Sequence, residues 1–143
     1  MNGDYLLGKI KEEGFYFAGE HRGYKYRIIR RTREGLDFKK LENNKGLLIN
    51  LNGYVLVPNS SKYFGVSYED IPVDCHGGLT YANEELYMQP EVGWWIGFDT
   101  GHYGDVTLLI DDDGFYSLEG NTYRDMDYVK SQCKKIIDQI IEF

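Results

Sequence analysis

Residues 122–142 read TYRDMDYVKSQCKKIIDQIIE, and the spacing within this stretch decides the fold class. Met126, Val129, Cys133, Ile136, Ile137 and Ile140 recur at three- and four-residue intervals, which puts them on one stripe of an α-helix. Thr122 followed three residues later by Asp125 reads as a capping box, so the spacing predicts a helix over 122–142. Cys133 lies on the stripe and reads as a buried structural thiol, not a nucleophile. An apolar stripe needs a sheet or another helix to cover it, and the segments upstream read as strands. The predicted class is α+β: antiparallel strands and hairpins packed by a C-terminal amphipathic helix, in one domain over 1–143.

The strands are read from aromatic and β-branched runs separated by glycine turns. Residues 15–18 and 24–30 flank Glu20-His21-Arg22-Gly23, which contains the turn glycine, and read as a β-hairpin, with Lys25, Arg27 and Ile29 on one largely basic face. Residues 47–51 and 54–57 flank Asn52-Gly53, a pair suited to a type I′ turn, and read as a second hairpin that Pro58 ends. Residues 61–71 read as a connecting loop with one helical turn, and 73–81 as a strand broken at Gly77-Gly78. Residues 94–99, WWIGFD, read as a buried strand; 111–114, DDDG, as a turn; and 1–13 as a short helix or a loose N-terminal arm.

Composition narrows the function. Among 143 residues, 42% are hydrophobic and 15% aromatic, which excludes a disordered tail. No apolar run approaches the length of a membrane span, and the basic n-region and long apolar core of a secretory signal are missing, so no membrane partner is expected. Two cysteines, Cys75 and Cys133, make no disulfide framework, and a reducing cytoplasm is the expected compartment. The net charge of −7 argues against nucleic acid as a partner. The charge is uneven: the acids cluster in 66–128, and the bases cluster in 21–46. A basic strip of that kind can hold a small phosphorylated ligand.

Three stretches carry the candidate chemistry. In Asp74-Cys75-His76-Gly77-Gly78-Leu79-Thr80-Tyr81, adjacent glycines let backbone N–H groups approach an anion. His76 before two glycines is similar to an esterase oxyanion loop, but the chain contains no G-x-S-x-G nucleophile. Neighbouring Cys75 and His76 point to opposite faces of an extended chain, poor geometry for a dyad. Asp99-Thr100-Gly101 after an apolar strand matches an aspartic-protease loop over three residues only. Asp99, His102 and Asp105 with His76 are instead candidate O/N ligands, and His76, Asp99 and His102 are expected to meet at one concave site. Trp94 and Trp95 alternate, so one belongs to the core while the other is free to face a pocket.

Several of these motifs occur together and in a fixed order: LNGYV (51–55), VDCHGGLTY (73–81), WWIGFD (94–99), His102 with Gly104-Asp105, and YRDMDYV (123–129). In this the chain resembles, over about residues 51–140, a family of small uncharacterised proteins abundant in bacteriophages and prophages. The family reads Cys-Ala-His-Ala-Gly-Asp where this chain has Thr100-Gly101-His102-Tyr103-Gly104-Asp105, which leaves Asp99, His102 and Asp105 in register. The resemblance implies phage origin and action in a bacterial cytoplasm; it supplies no reaction. The expected function is therefore a phage accessory protein, acting against host defence, that binds a nucleotide-derived ligand without turnover. The expected ligand-binding residues are His76, Gly77, Gly78, Thr80, Tyr81, Trp95, Asp99, His102 and Asp105, with Arg27 and Arg30 contributing guanidinium forks from a solvated face. No cofactor is expected, and a homo-oligomer is compatible with the sequence. Two alternatives stand beside this reading: a small metal-dependent hydrolase built on His76, Asp99, His102 and Asp105, and an acidic inhibitor of a host protein.

Overall fold

The computed structural model describes residues 3–31, 47–110 and 116–143. The expected turn at 111–114 and the part of the basic stretch from 32 to 46 lie outside the described residues. Among the described residues, two α-helices, α1 (Gly3–Glu13) and α2 (Met126–Glu142), accompany seven strands: β1 (Tyr16–His21), β2 (Tyr24–Arg31), β3 (Leu47–Val57), β4 (Tyr81–Asn83), β5 (Trp94–Asp99), β6 (Thr107–Ile110) and β7 (Tyr116–Glu119). The strands pair antiparallel in the order β1-β2-β3-β5-β4, with β6 also on β3 and β7 on β6. The fold is α+β.

The hairpin β1–β2 forms as the sequence predicts. Its turn residues Arg22 and Gly23 both have positive φ, at 51° and 84°, the conformation of a type I′ turn, whose twist matches the right-handed twist of the flanking strands. The first segment forms a helix and not a loose arm. Leu6, Leu7 and Ile10 are buried against Val106 and Leu108, and Gly14 at φ 85° closes the helix with its N–H on the Ile10 carbonyl.

The Asn52-Gly53 turn is not found. β3 runs straight through these residues as one strand of eleven, pairing with β2 on one side and with β5 on the other. The physical reason lies above the sheet. A Cβ on Gly53 would stand 2.6 Å from the Phe98 ring and 2.8 Å from Cys133 Sγ. The glycine therefore serves close packing of helix on sheet, and its turn propensity is overridden.

Two other expectations are corrected. Residues 72–80 form no strand, because Gly77 and Gly78 have φ of 67° and 79° and turn the chain out of the sheet. Helix α2 starts at Met126, with Asp125 as N-cap accepting from the Tyr128 N–H at 2.8 Å. Thr122 does not cap it. Its N–H donates to the Gly104 carbonyl and its carbonyl accepts from the Val106 N–H, so its backbone is committed to a bridge with Asp105. The stripe Met126, Val129, Cys133, Ile136, Ile137 and Ile140 is buried as expected, over Tyr26, Ile28, Leu51, Val55, Ile96 and Phe98. The single helical turn expected in 61–71 is a 3₁₀ turn at Tyr68–Asp70.

The opposite face of the sheet is covered by residues 84–93. Leu86 is buried with Ile29 and Trp95, and the Gly93 N–H donates to the Glu84 carbonyl to close the loop. On one edge of β3, Asn52–Val57 pair with β5 and Leu47–Ile49 pair with β6. β5 and β6 thus form one line along β3, from which residues 100–106 loop out. Thr100 roots that loop: its hydroxyl donates to the Leu51 carbonyl at 2.9 Å and accepts from the Leu51 N–H at 3.2 Å. Among the described residues no helix is long and apolar enough to cross a membrane.

The Gly53 contact gives a stability test. Replacing Gly53 with Ala forces the helix or Phe98 to move, and overpacking of this kind costs about 1–3 kcal/mol. The expected result is a lowered urea midpoint with an unchanged m-value; an unaltered midpoint would show that the helix is not seated on Gly53.

Candidate functional site

His76, Asp99 and His102 come into contact as expected, but not in one concavity: Asp99 lines one cleft and His102 another. His76 arrives on the glycine-turned loop 72–80, Asp99 at the end of β5, and His102 and Asp105 on the excursion 100–106. His76 Nε2 lies 2.7 Å from Asp105 Oδ2, and its Nδ1 lies 2.8 Å from the Tyr128 hydroxyl. A neutral imidazole donating to the carboxylate and accepting from the tyrosine satisfies both bonds. The Asp105 carboxylate also accepts from Arg124 Nε at 2.9 Å and from the His102 N–H at 3.1 Å. The His76 and His102 rings stand edge to face at 5.8 Å between centroids, and His102 Nε2 is 3.3 Å from Asp99 Oδ1. Gly77 makes this approach feasible, since a Cβ there would fall 2.2 Å from His102 Nε2. Asp99 further accepts from the Thr80 hydroxyl and the Gly101 N–H.

The His76–Asp105 pair is fully engaged, whereas His102 Nε2 is buried without a hydrogen-bond partner. Both ring nitrogens of His76 and both oxygens of Asp105 are taken, and Asp105 is 4% exposed. Burial alone would raise the Asp105 pKa. The hydrogen bonds from His76, Arg124 and the His102 amide outweigh it, and the carboxyl sits below its ordinary value. Cys75 offers no thiolate, since burial and the adjacent Asp74 push its pKa up to about 11. Cys133 is raised further by complete burial. Among the described residues no three His, Cys, Asp or Glu side chains converge in a metal-holding group.

Two clefts flank this cluster. One, of about 430 Å³, is lined by Gly101–Asp105, Thr107, Gly120 and Asn121. The other, of about 170 Å³, is lined by Arg31, Asn52, Tyr54, Thr80, Tyr81, Phe98 and Asp99. In the smaller cleft, Asn50, Asn52 and Tyr54 form a ladder on one face of β3: Asn50 Nδ2 donates to Asn52 Oδ1, and Asn52 Nδ2 to the Tyr54 hydroxyl, each at 3.1 Å. The Tyr54 and Tyr81 rings meet edge to face at 5.3 Å.

Three predicted site residues are elsewhere. Arg27 is buried under the loop 84–93, bonded to Gln89 and Glu91, with its guanidinium 5.9 Å from the centre of the Trp95 ring. Trp95 itself is wholly buried, its indole N–H on the Glu91 carbonyl. Arg30 lies at 1% exposure on the helix side, donating to the Gly14 carbonyl and the Tyr123 hydroxyl, 3.6 Å from Glu13. The expected solvated face is absent because acids and carbonyls distant in sequence fold over both guanidinium groups. Asn52, Arg124, Tyr128 and Gln132 are not among the residues the sequence points to. Tyr128 and Gln132 sit one turn apart on α2 and both reach His76, Gln132 through the His76 N–H at 2.9 Å. That i, i+4 spacing is legible in sequence; the loop it grips is not.

No protein-family model matches the chain, and neither a curated protein nor a solved structure matches it.

The depressed Asp105 pKa gives a pH test. A carboxyl whose folded pKa lies below its unfolded value of about 3.9 stabilises the fold above that value, and the contribution disappears as pH falls through the folded pKa. Asp105→Asn should therefore destabilise the protein at pH 7 and flatten the loss of stability below about pH 4 relative to wild type. Parallel acid-unfolding curves of the two proteins would reveal an undiminished acid slope if Asp105 is not the linked group.

Proposed function

We propose that this protein is a non-enzymatic binding protein for a small phosphorylated, nucleotide-derived ligand, held at the cleft between Arg31 and Asp99. The observation that carries this reading is the set of groups that converge there. Arg31 supplies a guanidinium for phosphate oxygens, Asp99 and Thr80 supply polar partners for sugar hydroxyls, Asn52 supplies an amide, and the Tyr54–Tyr81 pair supplies aromatic surface. At about 170 Å³ the cleft takes one end of such a ligand, since sites that enclose a whole ligand run about 300–1,000 Å³. Closure of the His76–Asp105 pair favours binding over turnover, because its hydrogen-bonding atoms are already engaged.

The resemblance to phage and prophage proteins read from the motif order is taken into the proposal. In that setting the chain is a phage accessory protein that sequesters a nucleotide signal of host defence in the bacterial cytoplasm. The phosphate-gripping role passes from Arg27 and Arg30 to Arg31, whose side chain remains exposed.

Calorimetry with a panel of mononucleotides, linear and cyclic ADP-ribose and cyclic dinucleotides tests this directly. At least one member should bind wild type. Arg31→Ala should weaken that binding by about 1–3 kcal/mol, the cost of a lost charge-assisted hydrogen-bond pair. Arg27→Ala should lower stability and leave the affinity of the folded protein unchanged. Failure of wild type to bind any member would overturn the reading and favour an acidic inhibitor of a host protein, which the acid-rich segment 66–128 suits.

A further inference from the structure

The hydrogen-bonding phase of the first hairpin leaves one row of backbone groups unused. His21 and Tyr24 flank the two-residue turn and form the hydrogen-bonded pair beside it. Alternation makes Gly19–Tyr26 and Phe17–Ile28 the next such pairs, and the Arg30 N–H donates to the Phe15 carbonyl at 2.8 Å in the same phase. Tyr16, Ala18 and Glu20 therefore turn their N–H and C=O groups outward. Among the described residues no strand pairs with this edge of β1.

Sheet edges are commonly blunted by proline, lysine, a bulge or short length. The opposite edge strand, β4, has three residues. β1 has six, without proline, lysine or a bulge and with one charge, Glu20, toward its turn end; Tyr16, Ala18 and Glu20 are all exposed. We infer that β1 pairs with β1 of a second copy of this chain, antiparallel and centred on Ala18, to join two sheets into one.

The occupant follows from self-complementarity. With Ala18 on the two-fold axis, a small side chain faces itself, Tyr16 of one copy faces Glu20 of the other, and no like charges stand opposite. Phe17 then faces Gly19, which has no side chain; the ring of Tyr26 already covers that glycine, and Phe17 of the same copy packs on it at 6.0 Å between centroids. Centring on Glu20 would instead oppose two carboxylates. The outward groups of Tyr16, Ala18 and Glu20 fall into hydrogen-bonded pairs in the Ala18 register. Beside the seam, the Tyr16 hydroxyl donates to Gln89, and the adjacent Met88 is 64% exposed at φ 64°, a conformation that favours glycine in a non-glycine residue. Pairing of the edges brings this exposed apolar side chain close to the other copy.

Sedimentation of the full chain across a dilution series tests the inference. Wild type should sediment at twice the 16.6 kDa chain mass at high concentration and dissociate on dilution. Ala18→Pro removes an outward N–H without touching the β1–β2 ladder, and Ala18→Lys puts two like charges on the axis at an exposed position. Both variants should stay at monomer mass at every concentration with a wild-type circular dichroism spectrum. Residue-resolved amide exchange should show Tyr16, Ala18 and Glu20 protected only at high wild-type concentration, and Phe17 and Gly19 protected throughout. A wild type monomeric at all concentrations overturns the inference. So does a dimer that survives Ala18→Lys, or outward amides that exchange freely in the dimer. None of these outcomes bears on ligand binding at the Arg31–Asp99 cleft.

Discussion

Helix α2 can sit on the sheet because Gly53 offers no side chain beneath it. Cys133 Sγ and the Phe98 ring occupy the space a Cβ would need, so the helix approaches β3 at its middle and the stripe from Met126 to Ile140 closes over the central strands. The same contact keeps β3 extended through Asn52-Gly53. A continuous β3 then accepts β2 on one edge and the line of β5 and β6 on the other. The excursion 100–106 exists only because that line is interrupted, and it carries His102 and Asp105. The candidate site thus follows from the packing of α2 on the middle of β3.

Asp105 performs for the loops what Gly53 performs for the core. Its carboxylate gathers His76 from one loop, Arg124 from the segment before α2, and the amide of His102 from its own loop. The polar flank of α2 completes the clamp, with Tyr128 and Gln132 on His76, and Gln139 and Lys135 on Asp74. A buried carboxylate is tolerated because donors surround it, which is the requirement for any buried charge. The clamp engages both ring nitrogens of His76 and both oxygens of Asp105. What remains open to solvent lies beside it, in the clefts at Arg31–Asp99 and at Gly101–Asn121.

The buried arginines follow the same electrostatic rule. Arg27 and Arg30 belong to a segment that reads as a basic solvated face, yet each is enclosed by carbonyls and acids supplied by distant chain: Glu91 and Gln89 for Arg27, and Glu13, Gly14 and Tyr123 for Arg30. Charge counted along a segment gives its composition, whereas exposure depends on what folds over it. Arg31, one residue further along, keeps its side chain at the surface and adjoins the predicted Thr80, Tyr81 and Asp99.

Periodicity and turn chemistry, both local, determined much of this protein before any contact was known. The helical stripe in 126–140, the β1–β2 hairpin with its glycine-containing turn, the buried strand 94–99 and the structural role of Cys133 are each written within a short window, and so is the nearness of chemistry-bearing residues to glycine breaks. Asn52-Gly53 was misread for the same reason: its local preference is a turn, and only the helix packed above it makes a glycine necessary in mid-strand. That misreading also hid the Asn50–Asn52–Tyr54 ladder, which becomes visible once the three residues share one face of a continuous strand. Capping by Asp125 instead of Thr122, burial of Arg27, Arg30 and Trp95, and the gathering of His76, Arg124 and Tyr128 around Asp105 were decided by tertiary structure alone. Each depends on partners many residues away, and sequence spacing carries no information about which distant groups will meet.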